Sequence, residues 1–273
     1  MPDLDWLVET RLLRPEAIAE AAAARERPTW PPSKLLVIAA DHTARGIVEA
    51  GGRAMSDRGD LLDRLVLALS RPGVNGVLGT PDIIEDLLLL GALDAKVVFG
   101  SMNRGAIQGA AWTIDDRFTA YDAESIDAFD FEGGKLLLRI DPTDERTPRT
   151  LESAARAVTQ LAARRRIAMV EPFWADTTPE GAMRAISIAS ALGNTSAYTW
   201  LKVPIVDDLE RVMAATTLPS LILGGGGGRA AYAQWAHALT LPPVRGLVAG
   251  HSLLYPHDDD VAAAVDTAAS LLG

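Results

Sequence analysis

The run Trp200-Leu201-Lys202-Val203-Pro204 puts one amine among apolar neighbours. A lysine held in such a place loses hydration, and desolvation lowers an amine's pKa. The neutral amine can attack a carbonyl carbon, and the resulting iminium draws electrons from the adjacent carbon–carbon bond. The same position also suits a structural lysine paired to a carboxylate, or one that binds a phosphate. Glu171, in Val170-Glu171-Pro172, is a group that can move protons for this chemistry, and equally one that can neutralise Lys202 or Arg139. Asp41 and Arg139 are candidates for positioning substrate hydroxyls or tuning the lysine. Asp141 either points the same way as Arg139 or caps the turn at Pro142-Thr143. Ser101 is a weaker candidate, and Trp200 is more ordinarily a core residue.

Gly224 to Gly228 form an unbroken glycine run, and Gly250-His251-Ser252 stand further along the chain. Gly224, Gly225, Gly226, Gly250, His251 and Ser252 are candidates for holding a phosphate, largely on backbone N–H groups. A flexible loop is the plainer reading of the run. There are no cysteines and four histidines: His42, His237, His251 and His257. Thiolate metal sites, disulfides and a catalytic thiol are excluded, and a zinc site built from several histidines is hard to assemble. Nothing demands a magnesium site made of carboxylates. The expected chemistry needs no metal and no cofactor beyond the lysine.

Short apolar runs alternating with longer amphipathic stretches must position these groups. The runs are Leu35–Ala40, Val74–Leu78, Lys96–Gly100, Lys135–Ile140, Ile167–Glu171, Tyr198–Val203, Leu218–Leu223 and Arg245–Ala249. Most are apolar without alternation, as parallel strands covered on both faces should be. Helix punctuation lies between them. Thr80-Pro81 to Gly91 and Thr178-Pro179 to Gly193 each have a cap, an early proline and a glycine stop. Helices are expected to open at Asp60, Thr150 and Asp207, and the last to span His257–Leu272. Asp3–Arg27 reads as a helical extension ended by Pro28 and Pro31-Pro32, and a place against the barrel's base is open to it.

The expected architecture is α/β: a TIM (β/α)₈ barrel forming one domain over residues 1–273, with residues 1–32 as a helical extension. An open doubly wound sheet would need a phosphate fingerprint after its first strand, and Ala40-Asp41-His42-Thr43 is not one. In such a barrel the candidates above gather at the carboxyl ends of the strands, where catalysis is housed.

A formal net charge of −10 argues against nucleic acid as a partner. The one basic run, Arg164-Arg165-Arg166, suits the carbonyl end of a helix. No signal peptide or membrane-spanning run is legible, so a cytoplasmic location is expected, with a small molecule as partner and a homo-oligomer left open.

At these residues the chain resembles class I aldolases of the superfamily containing deoxyribose-phosphate, archaeal-type fructose-bisphosphate and tagatose-bisphosphate aldolases. It is most similar to a deoxyribose-phosphate aldolase-like branch associated with inositol breakdown. The resemblance spans Asp41-His42 to Leu254-Tyr255-Pro256 and rests on five segments. These are Thr80–Asp86, Gly100–Gly105 with Arg104, Asp116–Thr119, Val170–Trp174 and, most specifically, Trp200–Pro204. It implies Lys202 as the Schiff-base lysine, Glu171 as a proton-transfer group, Asp41 after strand one and Arg139 as the basic residue ending strand four. Phosphate-binding glycines would be Gly224, Gly225 and Gly250. The implied activity is reversible aldol cleavage of a phosphorylated sugar or keto sugar acid, such as 2-deoxyribose 5-phosphate or 2-deoxy-5-keto-gluconate 6-phosphate. A phosphosugar isomerase or a non-catalytic sugar-phosphate sensor is the alternative. Three features depart from the pattern: strand seven reads Leu221-Ile222-Leu223 with no second lysine, His251 stands where many relatives carry arginine, and the Asp176-Thr177-Thr178 loop bordering the site is short.

Overall fold

The computed structural model describes residues 3–29, 33–103, 105, 107–109 and 116–273. The expected stop at Pro31-Pro32, and Arg104 of the third-strand segment, lie outside them. Eight parallel strands close into a barrel. They are β1 (Leu35–Ala40), β2 (Gly76–Gly79), β3 (Val97–Ser101), β4 (Gly133–Ile140), β5 (Ile167–Trp174), β6 (Thr199–Pro204), β7 (Ser220–Gly224) and β8 (Val244–Ala249). Each pairs with its neighbour in chain order, and β8 returns to β1 through Leu35 opposite Gly246 and Ile38 opposite Ala249.

The strand faces divide the apolar residues into two groups. Leu36, Ile38, Leu136, Leu138, Val170, Leu201 and Ile222 point outward to the helices. Leu35, Val37, Phe99, Met169, Leu221 and Val248 fill the interior, with Trp200 packed against them. Trp200 is partly buried at the edge of this interior cluster. This interior layer is the dry floor beneath the strand carboxyl ends.

The helices are α1 (Leu4–Leu13), α2 (Ala17–Ala24), α3 (Arg58–Ser70), α4 (Pro81–Leu89), α5 (Ala123–Ala128) and α6 (Thr147–Ala163), then α7 (Pro179–Ser190), α8 (Leu209–Met213), α9 (Gly228–Ala238), α10 (His251–Leu254) and α11 (Val261–Ser270). On α6, Thr150, Ala154, Ala157, Val158 and Leu161 are buried, the stripe of a helix laid on a sheet. At α7 the Thr178 hydroxyl accepts the Gly181 amide at 3.1 Å, as its position before Pro179 predicts.

Several expected boundaries move. The helix expected to open at Asp60 starts at Arg58, capped by Asp57, and the one expected at Thr150 starts at Thr147, ahead of Pro148. The final helix begins at Val261 under an Asp260 cap rather than at His257. The expected Asp3–Arg27 helix is two helices, because Pro15 has no N–H to continue the first. Arg25, 1 % exposed at its side chain, reaches from the end of α2 to the Lys96 carbonyl and to Glu132, at the amino ends of β3 and β4. The extension is thereby fastened to the base of the barrel, opposite the site.

Candidate active site

Above the apolar floor, three of the predicted residues converge. Lys202 Nζ lies 3.0 Å from Glu171 Oε1, and both are buried. Asp41, at the end of β1, joins through a residue that sequence reasoning missed. Lys135 Nζ is 3.2 Å from Asp41 Oδ2 and 2.6 Å from Glu171 Oε2. The result is a chain of alternating charge, Asp41–Lys135–Glu171–Lys202, with one carboxylate bridging two amines.

The basic residue of strand four in this layer is therefore Lys135, not Arg139. Arg139 is buried four residues further along β4, and its Nε donates to Asp116 Oδ1 at 2.7 Å while its amide donates to Asp116 Oδ2 at 2.9 Å. Lys135 sits opposite Met169, one inward position below Glu171, which sits opposite Leu137. Two residues of strand rise, about 6.6 Å, separate those levels, and a lysine stem spans the gap. The alternation that puts Lys135, Leu137 and Arg139 on one strand face is visible in the sequence, but the reach of Lys135 to Glu171 follows only from the pairing of β4 with β5.

Burial acts against every charge in the layer, and the neighbours decide the outcome. For Lys202, burial outweighs the attraction of Glu171 and holds the amine below the ordinary lysine value. For Lys135, burial is overcome by Asp41 and Glu171 together, and the ammonium is stabilised above that value. Burial would raise both carboxyls, yet Lys135 and then Lys202 overcome it, taking Glu171 down to about 2 and Asp41 well below the usual carboxylate range. Lys202 is the amine that gives up its proton more readily, with an ionised carboxylate beside it.

The remaining predicted residues divide. A cavity of about 320 Å³ reaches Glu171 and is bordered by His42, Arg45, Gly225, Gly250 and His251. Gly250 is required sterically: a Cβ there would fall 2.4 Å from the Ala39 carbonyl and from the His42 ring. Gly225 faces open space, and Gly224, which also borders the cavity, ends β7 against Ala249. Gly226 lies beside Ala231. The His251 imidazole, its pKa lowered by burial and raised by the Gly225 backbone, meets the His42 ring edge-on at 5.3 Å. Ser252 borders a separate cavity of about 580 Å³ beyond His251, its hydroxyl buried and unpartnered among the described residues. Ser101 is buried and donates to the Asn103 carbonyl at 3.3 Å. Asp141 caps its own turn, accepting from the Thr143 amide and hydroxyl. Among the described residues, no three His, Asp or Glu side chains are placed to hold a metal ion, and no helix is long and apolar enough to cross a membrane.

The sequence matches the Cgl0159-like family model over residues 33–269. The chain belongs to the Cgl0159-like family. It is 47 % identical to Cgl0159 from Corynebacterium glutamicum (Brevibacterium flavum), whose crystal structure superposes with a TM-score of 0.94 over 98 % of this chain and 96 % of that one. A Schiff base-forming fructose-1,6-bisphosphate aldolase has the same fold at 17 % identity, with a TM-score of 0.69 over 94 % of this chain and 100 % of its own. An archaeal fructose-1,6-bisphosphate aldolase with its catalytic lysine bound to a carbinolamine intermediate is 17 % identical, with a TM-score of 0.67 over 93 % and 97 % of the two chains. No curated protein matches the sequence.

Proposed function

We propose that this barrel is a class I aldolase in which Lys202 forms the Schiff base. The observation that carries this is the buried Lys202 amine, held towards its neutral form 3.0 Å from Glu171. The likeness to Schiff base-forming aldolases supports the reading.

Lys202 Nζ adds to the substrate carbonyl carbon, and Glu171 takes the proton that the nitrogen sheds. A proton from solvent converts the alkoxide to the carbinolamine hydroxyl, and the same carboxyl returns its proton to that hydroxyl, which leaves as water and gives the iminium. Glu171, ionised again, then takes the proton of the hydroxyl β to the iminium and an aldehyde is released. The electrons of the broken carbon–carbon bond pass to the iminium and form an enamine, which is protonated and hydrolysed to free the second product. Lys135 stays cationic and keeps Glu171 ionised between proton transfers, and Asp41 holds Lys135 in place. Because Asp116 binds Arg139, the charge-tuning role expected of Arg139 passes to Lys135. The substrate class is a phosphorylated sugar or keto sugar acid, with 2-deoxyribose 5-phosphate and 2-deoxy-5-keto-gluconate 6-phosphate as leading candidates.

Borohydride reduction in the presence of these compounds or dihydroxyacetone phosphate, followed by peptide mass spectrometry, tests the assignment. A reduced adduct is expected on Lys202 and is lost in Lys202→Met. An adduct on Lys135 instead, or none with any carbonyl compound, sinks the proposal.

A further inference from the structure

The turn after β1 carries a cation, Arg45, that forms no ion pair with the catalytic layer among the described residues, although its charge is felt at Asp41. Thr43–Arg45 make a single 3₁₀ turn closed by Gly46 at φ +79°. The Arg45 amide donates to the His42 carbonyl at 3.0 Å, and its carbonyl accepts from the Gln108 amide at 2.8 Å. The backbone is thus fastened on two sides, and the side chain borders the cavity that opens onto Glu171. Arg45 Nε is buried and has no hydrogen-bond partner among the described residues. A buried N–H without an acceptor is uncommon, and a ligand oxygen would supply one.

The carboxylates of the layer beneath are already engaged: Asp41 by Lys135, and Glu171 by Lys135 and Lys202. Glu49 borders the same cavity but is exposed to solvent. Burial holds the His42 and His251 imidazoles towards their neutral forms, so the positive charge of this wall comes from Arg45. A guanidinium beside two imidazoles and an open glycine backbone matches the oxygens of a phosphate.

We propose that Arg45 determines substrate specificity by taking the phosphate-monoester end of the carbonyl substrate, with His42, His251 and the backbone at Gly225 completing the cradle. The identity of the carbonyl end rests on the aldolase reading; the anion site does not. The substrate then runs from Lys202 towards the β1–β8 side of the barrel mouth.

Titration of the full chain with inorganic phosphate, followed by calorimetry, reads the site without any turnover. Arg45→Gln should weaken binding about tenfold or more, and Arg45→Lys, which keeps the charge and loses the planar fork, by less. In Arg45→Gln, adduct formation on Lys202 should need more dihydroxyacetone phosphate but no more dihydroxyacetone. A thermal melt checks that the glutamine variant folds; if it does not, the lysine variant decides the matter by the same comparison. Phosphate affinity within about a factor of two of the parent in Arg45→Gln overturns the proposal, as does a parent chain that binds no phosphate. Acetate binding as tightly as phosphate would overturn the choice of a phosphate ester. If no carbonyl compound gives an adduct with the parent, the aldolase reading fails while the phosphate titration still judges Arg45.

Discussion

Burial acts on Lys135 and Lys202 alike, but among the described residues Lys135 touches two carboxylates and Lys202 only one. The difference separates a permanent cation from an amine able to react. It also fixes the sign of a pH effect. Schiff-base formation needs neutral Lys202, so the trapping rate rises with pH up to the pKa of that amine. Burial and then Lys135 push this pKa down, while Glu171 and Asp41 pull it up. In Lys135→Met only burial opposes the two carboxylates, so the rising limb should move to higher pH. Trapping at neutral pH should then slow by about tenfold for every pH unit that the limb moves. A limb that stays in place would show that Lys135 does not tune Lys202. Lys202 was legible from sequence because its apolar neighbours mark a buried strand. Lys135 was not, because it stands at the apparent start of its run, and only the pairing of β4 with β5 shows that its stem reaches Glu171. Arg45 looked like an ordinary turn residue, since nothing local shows that its Nε is buried.

All eight strands were legible, with their ends placed to within three residues, because each centres on an apolar run, and parallel strands need that pattern. The first helices were less so, since a single proline converts one helix into two without changing the apolar pattern around it. Glycine type also hid two different jobs. Gly225 opens space at the cavity, whereas Gly250 allows β8 to end against the Ala39 carbonyl and the His42 ring. Gly250→Ala should therefore destabilise the barrel by about 1–3 kcal/mol, the usual cost of overpacking, and lower the melting temperature by several degrees. Gly225→Ala should leave the melt nearly unchanged. Equal melts for the two variants would contradict this division of roles.

The whole molecule has an acid limit that starts in the site. His42 is held down to about 4 by burial, while an exposed histidine titrates near 6.5. Between those values the unfolded chain binds the proton and the folded chain does not, so stability falls as pH drops through that window, by up to about 1.4 kcal/mol per pH unit. Glu171, depressed to about 2 from 4.5, and Asp41 extend the loss to lower pH. Urea unfolding of His42→Gln should therefore show a flatter decline from pH 6.5 to 4 than the parent; parallel declines would refute the assignment. For descent, the alternating quartet beneath His42 acts as a ratchet. Replacing Lys135 leaves Asp41 without its partner amine, and replacing Glu171 leaves Lys202 without its partner carboxylate, which narrows the single-step mutational routes out of the arrangement. Lineages that change substrate are expected to diverge first at the rim, at positions such as Arg45, Gly225 and His251, and to exchange the buried charges only in compensated pairs.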